Sequence, residues 1–289
     1  MSRKSLCMIV GLMFFFTPWT TYATPNGTAD LSSYQWLEIN ADARWEARAG
    51  LQVVELKNDF YLMGGRTPRP PQFPPIPGDS DIYGDVWKSI DRGESWEKIL
   101  ETDDQQHWPA RAYFQAVKKD KFIFVLGGQN FKIEANECPS FVTNCPPFVS
   151  KSDFFNDVWR SDNGIDWEMM TDSAPWDGRA GLSSVVFKGH IYVLGGSFND
   201  DPAVIGGPPT RVYFNDVWKS KNGRDWELLI DNAPWEPRAG GIVVVKNGYL
   251  YLLGGEDGFT CQPETPRCPP YFNDVWRSRD GVNWELVTK

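Results

Sequence analysis

Four near-copies of one string set the first limit on this chain. "RAGLQVV…FYLMGG…GDVWKSIDRGESWEKI" begins at Arg48, and "RAYFQAV…FIFVLGG…FNDVWRSDNGIDWEMM" begins at Arg111. "RAGLSSVV…IYVLGG…FNDVWKSKNGRDWELL" begins at Arg179, and "RAGGIVVV…LYLLGG…FNDVWRSRDGVNWELV" begins at Arg238. The copies are spaced 63, 68 and 59 residues apart. Repetition at a near-constant interval marks one supersecondary unit that buries its faces only by stacking on its neighbours. Beyond the N-terminal leader, every tryptophan except Trp36 falls into one of three series. Trp45, Trp108, Trp176 and Trp235 precede the arginine; Trp87, Trp159, Trp218 and Trp276 follow Asp-Val; Trp96, Trp167, Trp226 and Trp284 end a turn.

Each copy reads as four short strands. In the last one, "GIVVV" is an apolar run, "KNG" a hairpin turn, and "YLYLLGG" a second strand ending in a glycine pair that tolerates positive φ. A long Pro-rich loop follows, then "NDVWRS", the turn "RDG" and "NWELV". No stretch after the leader sustains a helical period. The expected fold is all-β: a β-propeller of four-stranded antiparallel blades at approximately 46–100, 109–171, 177–230 and 236–289, within a propeller spanning 35–289. The indoles fill the wedges between neighbouring sheets.

Arginine at the first strand, Gly-Gly after the second, Asn-Asp-Val-Trp in the third and Trp in the fourth together resemble the Kelch repeat of galactose oxidase-like propellers. The resemblance covers roughly 36–289; the first copy departs from it with Gly84 where the others have Asn156, Asn215 and Asn273. The turns from third to fourth strand also resemble the Asp-box of sialidase-like propellers: "SIDRGESW" matches in full, and the other three are one residue shorter. Both resemblances imply a structural role for Asp91, Asn163, Asn222 and Asp280, whose side chains would bond the hairpin backbone while glycine supplies positive φ. "YQWLEINADARW" at 34–45 repeats the register of "DWELLIDNAPW" at 225–235, which adds one extra N-terminal copy of the fourth strand. That strand is expected at 35–40, against the last blade near Trp284. A closed four-bladed ring, an open arc and a ring completed by a second molecule all stay open.

Residues 1–23 read as a secretory signal: Arg3 and Lys4, the apolar run Leu6–Phe16, then Thr21-Tyr22-Ala23 as a cleavage site, followed by a lead-in at 24–34. Without Arg3 and Lys4 the balance is 27 basic against 38 acidic residues, which argues against nucleic acid and anionic lipid. No later stretch reaches the 18 or so apolar residues of a membrane span. In a secreted or periplasmic setting Cys138, Cys145, Cys261 and Cys268 read as disulfides, and their equal spacing favours the pairs Cys138–Cys145 and Cys261–Cys268.

Chemistry is expected on the face that carries the loops 66–83, 129–154, 197–213 and 256–271. Trp45, Trp108, Trp176 and Trp235 are expected to be displayed there, with Arg48, Arg111, Arg179 and Arg238 near the axis. Strict repetition favours a structural pairing of each arginine with an Asp of the Asp-Val-Trp series. Residues that differ between copies are the better ligand-binding candidates: Arg66, Arg69, Phe131, Lys132, Glu134, Phe141, Phe148, Phe198, Asp200, Asp201, Arg211, Glu256, Asp257 and Phe259. No metal or cofactor is called for. The copper radical oxidases of this resemblance need two histidines and two tyrosines; His107 and His190, the only histidines, fall on opposite faces. A sialidase would need an Arg-Ile-Pro motif, which is absent. The leading expectation is an exported module that binds a protein or glycan. The alternative is a carbohydrate-active enzyme, a sugar (sialic-acid-type) mutarotase or a glycosidase-like propeller, which needs only an acid and a base near an anomeric centre.

Overall fold

A computed structural model describes residues 36–70, 79–135, 148–200, 210–258 and 270–288. Ile39–Lys289 belong to one compact unit. The described residues contain strands and turns and no helix. The first sheet is made of β1 (Gln52–Leu56), β2 (Asp59–Pro68), β3 (Ser80–Ser89) and β4 (Glu97–Leu100), in that order. The second takes β5 (Gln115–Lys119) and β6 (Phe122–Leu126), then, after a separate ribbon of β7 (Gln129–Ala135) and β8 (Phe148–Phe154), β9 (Val158–Ser161) and β10 (Glu168–Thr171). The third has β11 (Ser183–Phe187) and β12 (His190–Leu194), a ribbon of β13 (Ser197–Asp200) and β14 (Thr210–Tyr213), then β15 (Val217–Ser220) and β16 (Trp226–Ile230). The fourth is β17 (Ile242–Lys246), β18 (Tyr249–Leu253), β19 (Val275–Ser278) and β20 (Trp284–Thr288). Every neighbouring pair is antiparallel.

The local chemistry explains these elements. Second strands such as "FIFVL" and "HIYVL" lie in the middle of a sheet covered on both faces, so they are apolar at consecutive positions and mostly buried. Lys57-Asn58, Lys188-Gly189 and Asn247-Gly248 close two-residue hairpins with positive φ at both positions, the geometry that suits the twist of the strands. The turns from third to fourth strand repeat one device. Asn163 Oδ1 accepts the N–H groups of Ile165 and Asp166 at 2.8 and 2.9 Å, and Gly164 N–H bonds Ser161 Oγ at 2.8 Å. Asn222 and Asp280 do the same in the third and fourth sheets. A Cβ on Gly164, Gly223 or Gly281 would stand 2.7, 2.7 or 2.8 Å from Tyr61, Phe124 or Tyr192 in the second strand of the preceding sheet. These turns therefore seat one sheet on the next.

The sheets stack in series, with β1, β5, β11 and β17 as successive neighbours; β17 and β1 are not packed together. Three apolar cores lie in the seams. Val54, Leu56, Tyr61 and Met63 meet Trp108, Phe114, Ile123 and Val125 in the first. Leu126, Val158 and Met170 meet Trp176, Leu182 and Val193 in the second; Phe187, Tyr192 and Val217 meet Trp235, Leu250 and Leu252 in the third. Backbone bonds cross each seam as well. Gly65, Gly128 and Gly196 donate their N–H groups to the carbonyls of Arg111, Arg179 and Arg238 at 2.8–2.9 Å. A second chain of bonds runs Tyr113 N–H to Gly50 O, Gly181 N–H to Tyr113 O and Gly240 N–H to Gly181 O, also at 2.8–2.9 Å.

Two expectations are corrected. Residues 36–40 form no strand, and the last sheet ends at β20. The long loops, moreover, are partly ladder: β2 and β3 run past the sheet to Pro68 and Ser80, and β7–β8 and β13–β14 are hairpin ribbons. Cys138, Cys145, Cys261 and Cys268 lie outside the described residues.

Trp176→Ala removes a fully buried indole from the second seam and is expected to cost about 3–5 kcal/mol. Val212→Ala on the exposed ribbon should stay within roughly 0.5 kcal/mol. Urea melts compare the two, and equal midpoints would remove the packing argument. Acid supplies a second test. Hydrogen bonds from the Ser95 side chain and N–H and from Ser89 hold the Asp91 carboxyl at about 2. Burial alone would raise Asp280, yet bonds from the Asn283 side chain and the N–H groups of Asn283 and Val282 bring it to about 2. Both are depressed below the roughly 3.9 of an unfolded chain, so their contribution is complete above about pH 4 and is lost as pH falls toward 2. Thermal melts should fall through that window, with less of a fall in Asp280→Asn than in the parent.

Candidate functional site at the ribbon-bearing ends of the sheets

The four repeated arginines are structural, and each makes the same clamp. Arg179 Nε donates to the Asp177 carbonyl at 2.9 Å, Nη1 to the Gly195 carbonyl at 3.0 Å and to Asp216 Oδ1 at 2.5 Å, and Nη2 to Asp216 Oδ2 at 2.9 Å. Arg48, Arg111 and Arg238 pair with Asp85, Asp157 and Asp274 in the same way. The second carboxylate oxygen of each Asp also accepts an indole N–H, from Trp87, Trp159, Trp218 or Trp276, at 2.8 Å. Tyr83, Phe155, Phe214 and Phe272 cover the guanidinium groups at 3.7–4.0 Å. Burial would raise Asp274, but the bonds from Arg238 and Trp276 outweigh it and lower its pKa. The arginine side chains are buried, so they are not offered to a ligand. Trp108, Trp176 and Trp235 are likewise buried in the seams rather than displayed, because the wedge between two sheets takes the whole indole.

What varies lies one step past the glycine pair. Arg66, Gln129, Ser197 and Glu256 hold the same register position in the four sheets, each bridged to the alanine after its repeated arginine: Ala49, Ala112, Ala180 and Ala239. Cation, amide and carboxylate thus stand partly exposed at equivalent places on the ends of the sheets that carry the ribbons, while the serine of the third sheet is buried. Arg66 and Glu256 were legible as variable residues; Gln129 and Ser197 were not singled out, although alignment of the four Gly-Gly pairs brings them into the same column. Arg66 has no side-chain partner among the described residues, and Glu256 Oε2 accepts the Tyr213 hydroxyl at 3.1 Å.

Tyr113, too, was not singled out from the sequence. It stands where the other copies have Gly50, Gly181 and Gly240, and it keeps their left-handed backbone at φ 55°. Its ring closes off the space beside Gly50, and it is 37% exposed. A non-glycine residue in that conformation is strained. The signal was the one departure in the series RAG, RAY, RAG, RAG.

The other candidates divide. Phe198 is exposed and packs on Phe154 with ring centres 4.5 Å apart. One Asp257 carboxylate oxygen is buried with no hydrogen-bond partner among the described residues. Phe131 is buried, and so is not a displayed contact, because β7 packs it inward. Arg69 is held by Asp79 and Asp81 at 3.1 and 2.7 Å, just past the outer end of the β2–β3 ladder. Lys132 and Glu134 lie on β7, Phe148 on β8, Asp200 on β13 and Arg211 on β14. Phe141, Asp201 and Phe259 lie outside the described residues. Among the described residues no three His, Cys, Asp or Glu side chains are grouped to hold a metal ion. His107 is buried against Trp108 ahead of β5, whereas His190 follows the turn into β12.

The chain matches no known protein family and no curated protein.

Asp216→Ala should cost about 3–5 kcal/mol, because it strands a buried guanidinium, and the double variant with Arg179→Met should recover much of the loss. A ligand role without a structural one would instead leave the melting curve unmoved. Tyr113→Gly should change stability by less than about 1 kcal/mol, since relief of the left-handed backbone offsets the lost ring contact. A loss above roughly 3 kcal/mol would make Tyr113 a packing residue.

Proposed function

We propose that the four sheets are blades of an exported Kelch-type β-propeller, stapled by Cys138–Cys145 and Cys261–Cys268. It binds a glycan, or a glycan-bearing or polar protein surface, at the ends of the sheets that carry the ribbons. The observation that carries this reading is the row Arg66, Gln129 and Glu256, the partly exposed members of a position whose fourth member, Ser197, is buried. One backbone position repeats while its side chain changes from donor to acceptor, as recognition of an irregular polar ligand requires. The exposed rings of Tyr113 and Phe198 add apolar surface of the kind that packs on sugar faces. The repeated arginines, fixed in ion pairs, would supply neither the arginine triad of a sialidase nor a free general acid.

A second reading, a carbohydrate-active enzyme of mutarotase or glycosidase-like type, has one observation in its favour. Tyr213 Oη donates to Glu256 Oε2, a pair in which a carboxylate polarises a phenol.

A glycan array on the purified protein, followed by titration with the best hit, tests the binding reading. Arg66→Ala and Glu256→Gln should each weaken binding about tenfold, equivalent to roughly 1.4 kcal/mol, with unchanged melting. No hit on the array, or unchanged affinity in both variants, sinks it. Anomer exchange followed by NMR tests the enzyme: turnover abolished by Tyr213→Phe would favour the second reading.

A further inference from the structure

Each of the three seams uses one set of complementary groups. The trailing side gives a Gly-Gly N–H, a carbonyl two residues past the arginine, a second-strand ring and apolar first-strand side chains. The leading side gives an arginine carbonyl, an N–H two residues on, a turn glycine and an indole. After three seams, one complete set is left over and divided between the two ends of the stack. At the trailing end, Gly255 N–H and the Gly240 carbonyl have no hydrogen bond among the described residues. A Cβ on Gly240 would touch nothing within 4 Å. Tyr251 of β18 receives no turn glycine, although its counterparts Tyr61, Phe124 and Tyr192 each do. Ile242 and Val244 of β17 are 63% and 43% exposed.

The leading end lacks what the trailing end offers. The Arg48 carbonyl and Gly50 N–H make none of the seam bonds that their counterparts make. The turn glycine Gly93 has nothing within 4 Å of its Cβ position, whereas Gly164, Gly223 and Gly281 are pressed on rings. Val53 is 49% exposed, and Trp45 is only half-buried where Trp108, Trp176 and Trp235 are buried. A cleft of about 850 Å³, lined in part by Trp87, Ile90, Trp96 and Lys98, opens there. In the first seam the equivalent indoles, Trp159 and Trp167, border one shared core with the fourth-strand residues Ile99 and Leu100 of the sheet before. The residues in register with those two at the trailing end are Val287 and Thr288 of β20.

We infer that the trailing end of one copy docks on the leading end of a second copy, and that two such contacts close a two-chain ring. The occupant follows from the groups themselves. What each end lacks is present at the other end of the same chain, and β17 and β1 do not pack on each other within it. Gly255 N–H would bond the partner's Arg48 carbonyl, the partner's Gly50 N–H would bond the Gly240 carbonyl, and Val244 would cover the partner's Val53. Such head-to-tail contacts either close or run on as filaments; closure at two copies leaves no apolar end in water. The inference rests on the seams and stands apart from any ligand.

Light scattering on the purified protein is expected to give the mass of two chains. Val53→Glu at the leading end and Val244→Glu at the trailing end should each give a folded monomer, with the fold checked by circular dichroism. An equimolar mixture of the two variants restores one undamaged contact and should return a two-chain species, which a face-to-face dimer would not do. The inference is overturned by a wild-type monomer at all concentrations, by species larger than two chains, by a dimer that neither variant dissociates, or by a mixture that stays monomeric. A monomer that Val244→Glu destabilises would assign the trailing end to residues of its own chain and would equally overturn it.

Discussion

One buried node ties each sheet together, and most of the repeated letters exist to build it. The arginine comes from just before the first strand, the glycine carbonyl from the end of the second, and the aspartate from the start of the third. In the third sheet Arg179, Gly195, Asp216 and Trp218 meet within four hydrogen bonds of 2.5–3.0 Å. A buried ion pair is weak evidence for net stability, because desolvation offsets much of its Coulombic gain. Its geometry nevertheless admits one register. A one-residue slip of β15 would turn Asp216 away from Arg179 and leave a cation buried without its partner. The motif thus selects among registers more than it adds to the depth of the well.

From this node the seams follow. The node fixes the glycine pair at the end of each second strand, and the second glycine then presents its N–H to the next arginine's carbonyl. The same arginine residue therefore serves its own sheet through its side chain and the preceding sheet through its backbone. Glycine is required at the pair because a Cβ on Gly64 would meet the Arg111 carbonyl at 2.8 Å and Phe114 at 2.7 Å. The indoles fill the rest of the wedge, edge-on to one another in each seam. Sheet order, seam spacing and core composition are consequences of a single repeated contact set.

The repeat made the four sheets, their strand order and the hairpin turns readable, since each rests on short-range chemistry: alternation, Asn-Gly turns, glycine pairs. The arginines were readable as far as their Asp partners, because a ligand seldom requires four identical contacts. The ribbons β7–β8 and β13–β14 were hidden, since segments such as "QNFKIEA" and "TRVY" carry no strong alternation and their ladders form by backbone pairing. The extra strand at 35–40 was misread because a copied side-chain register says nothing about whether a partner edge is present. The tryptophans before the arginines were misplaced for a similar reason: sequence shows that an indole recurs, while burial depends on a sheet that arrives some 60 residues later. Tyr113 was legible in principle as the one break in a glycine series, but its left-handed backbone is a property of three dimensions.

The position after the glycine pair shows how such a scaffold holds variation. Arg66, Gln129, Ser197 and Glu256 each exchange two backbone hydrogen bonds with their bridged alanine, at 2.8–3.0 Å. Those bonds satisfy the main chain whatever the side chain is, so the residue type can change without leaving a buried N–H or carbonyl unpaired. The neighbouring glycines and arginines have no such latitude, because their side chains, or the absence of one, close the seam and the node. Constraint and variability therefore alternate residue by residue at the end of every second strand. A scaffold built this way can alter the chemistry of its ribbon-bearing face one sheet at a time, leaving the four clamps and three seams that hold it untouched.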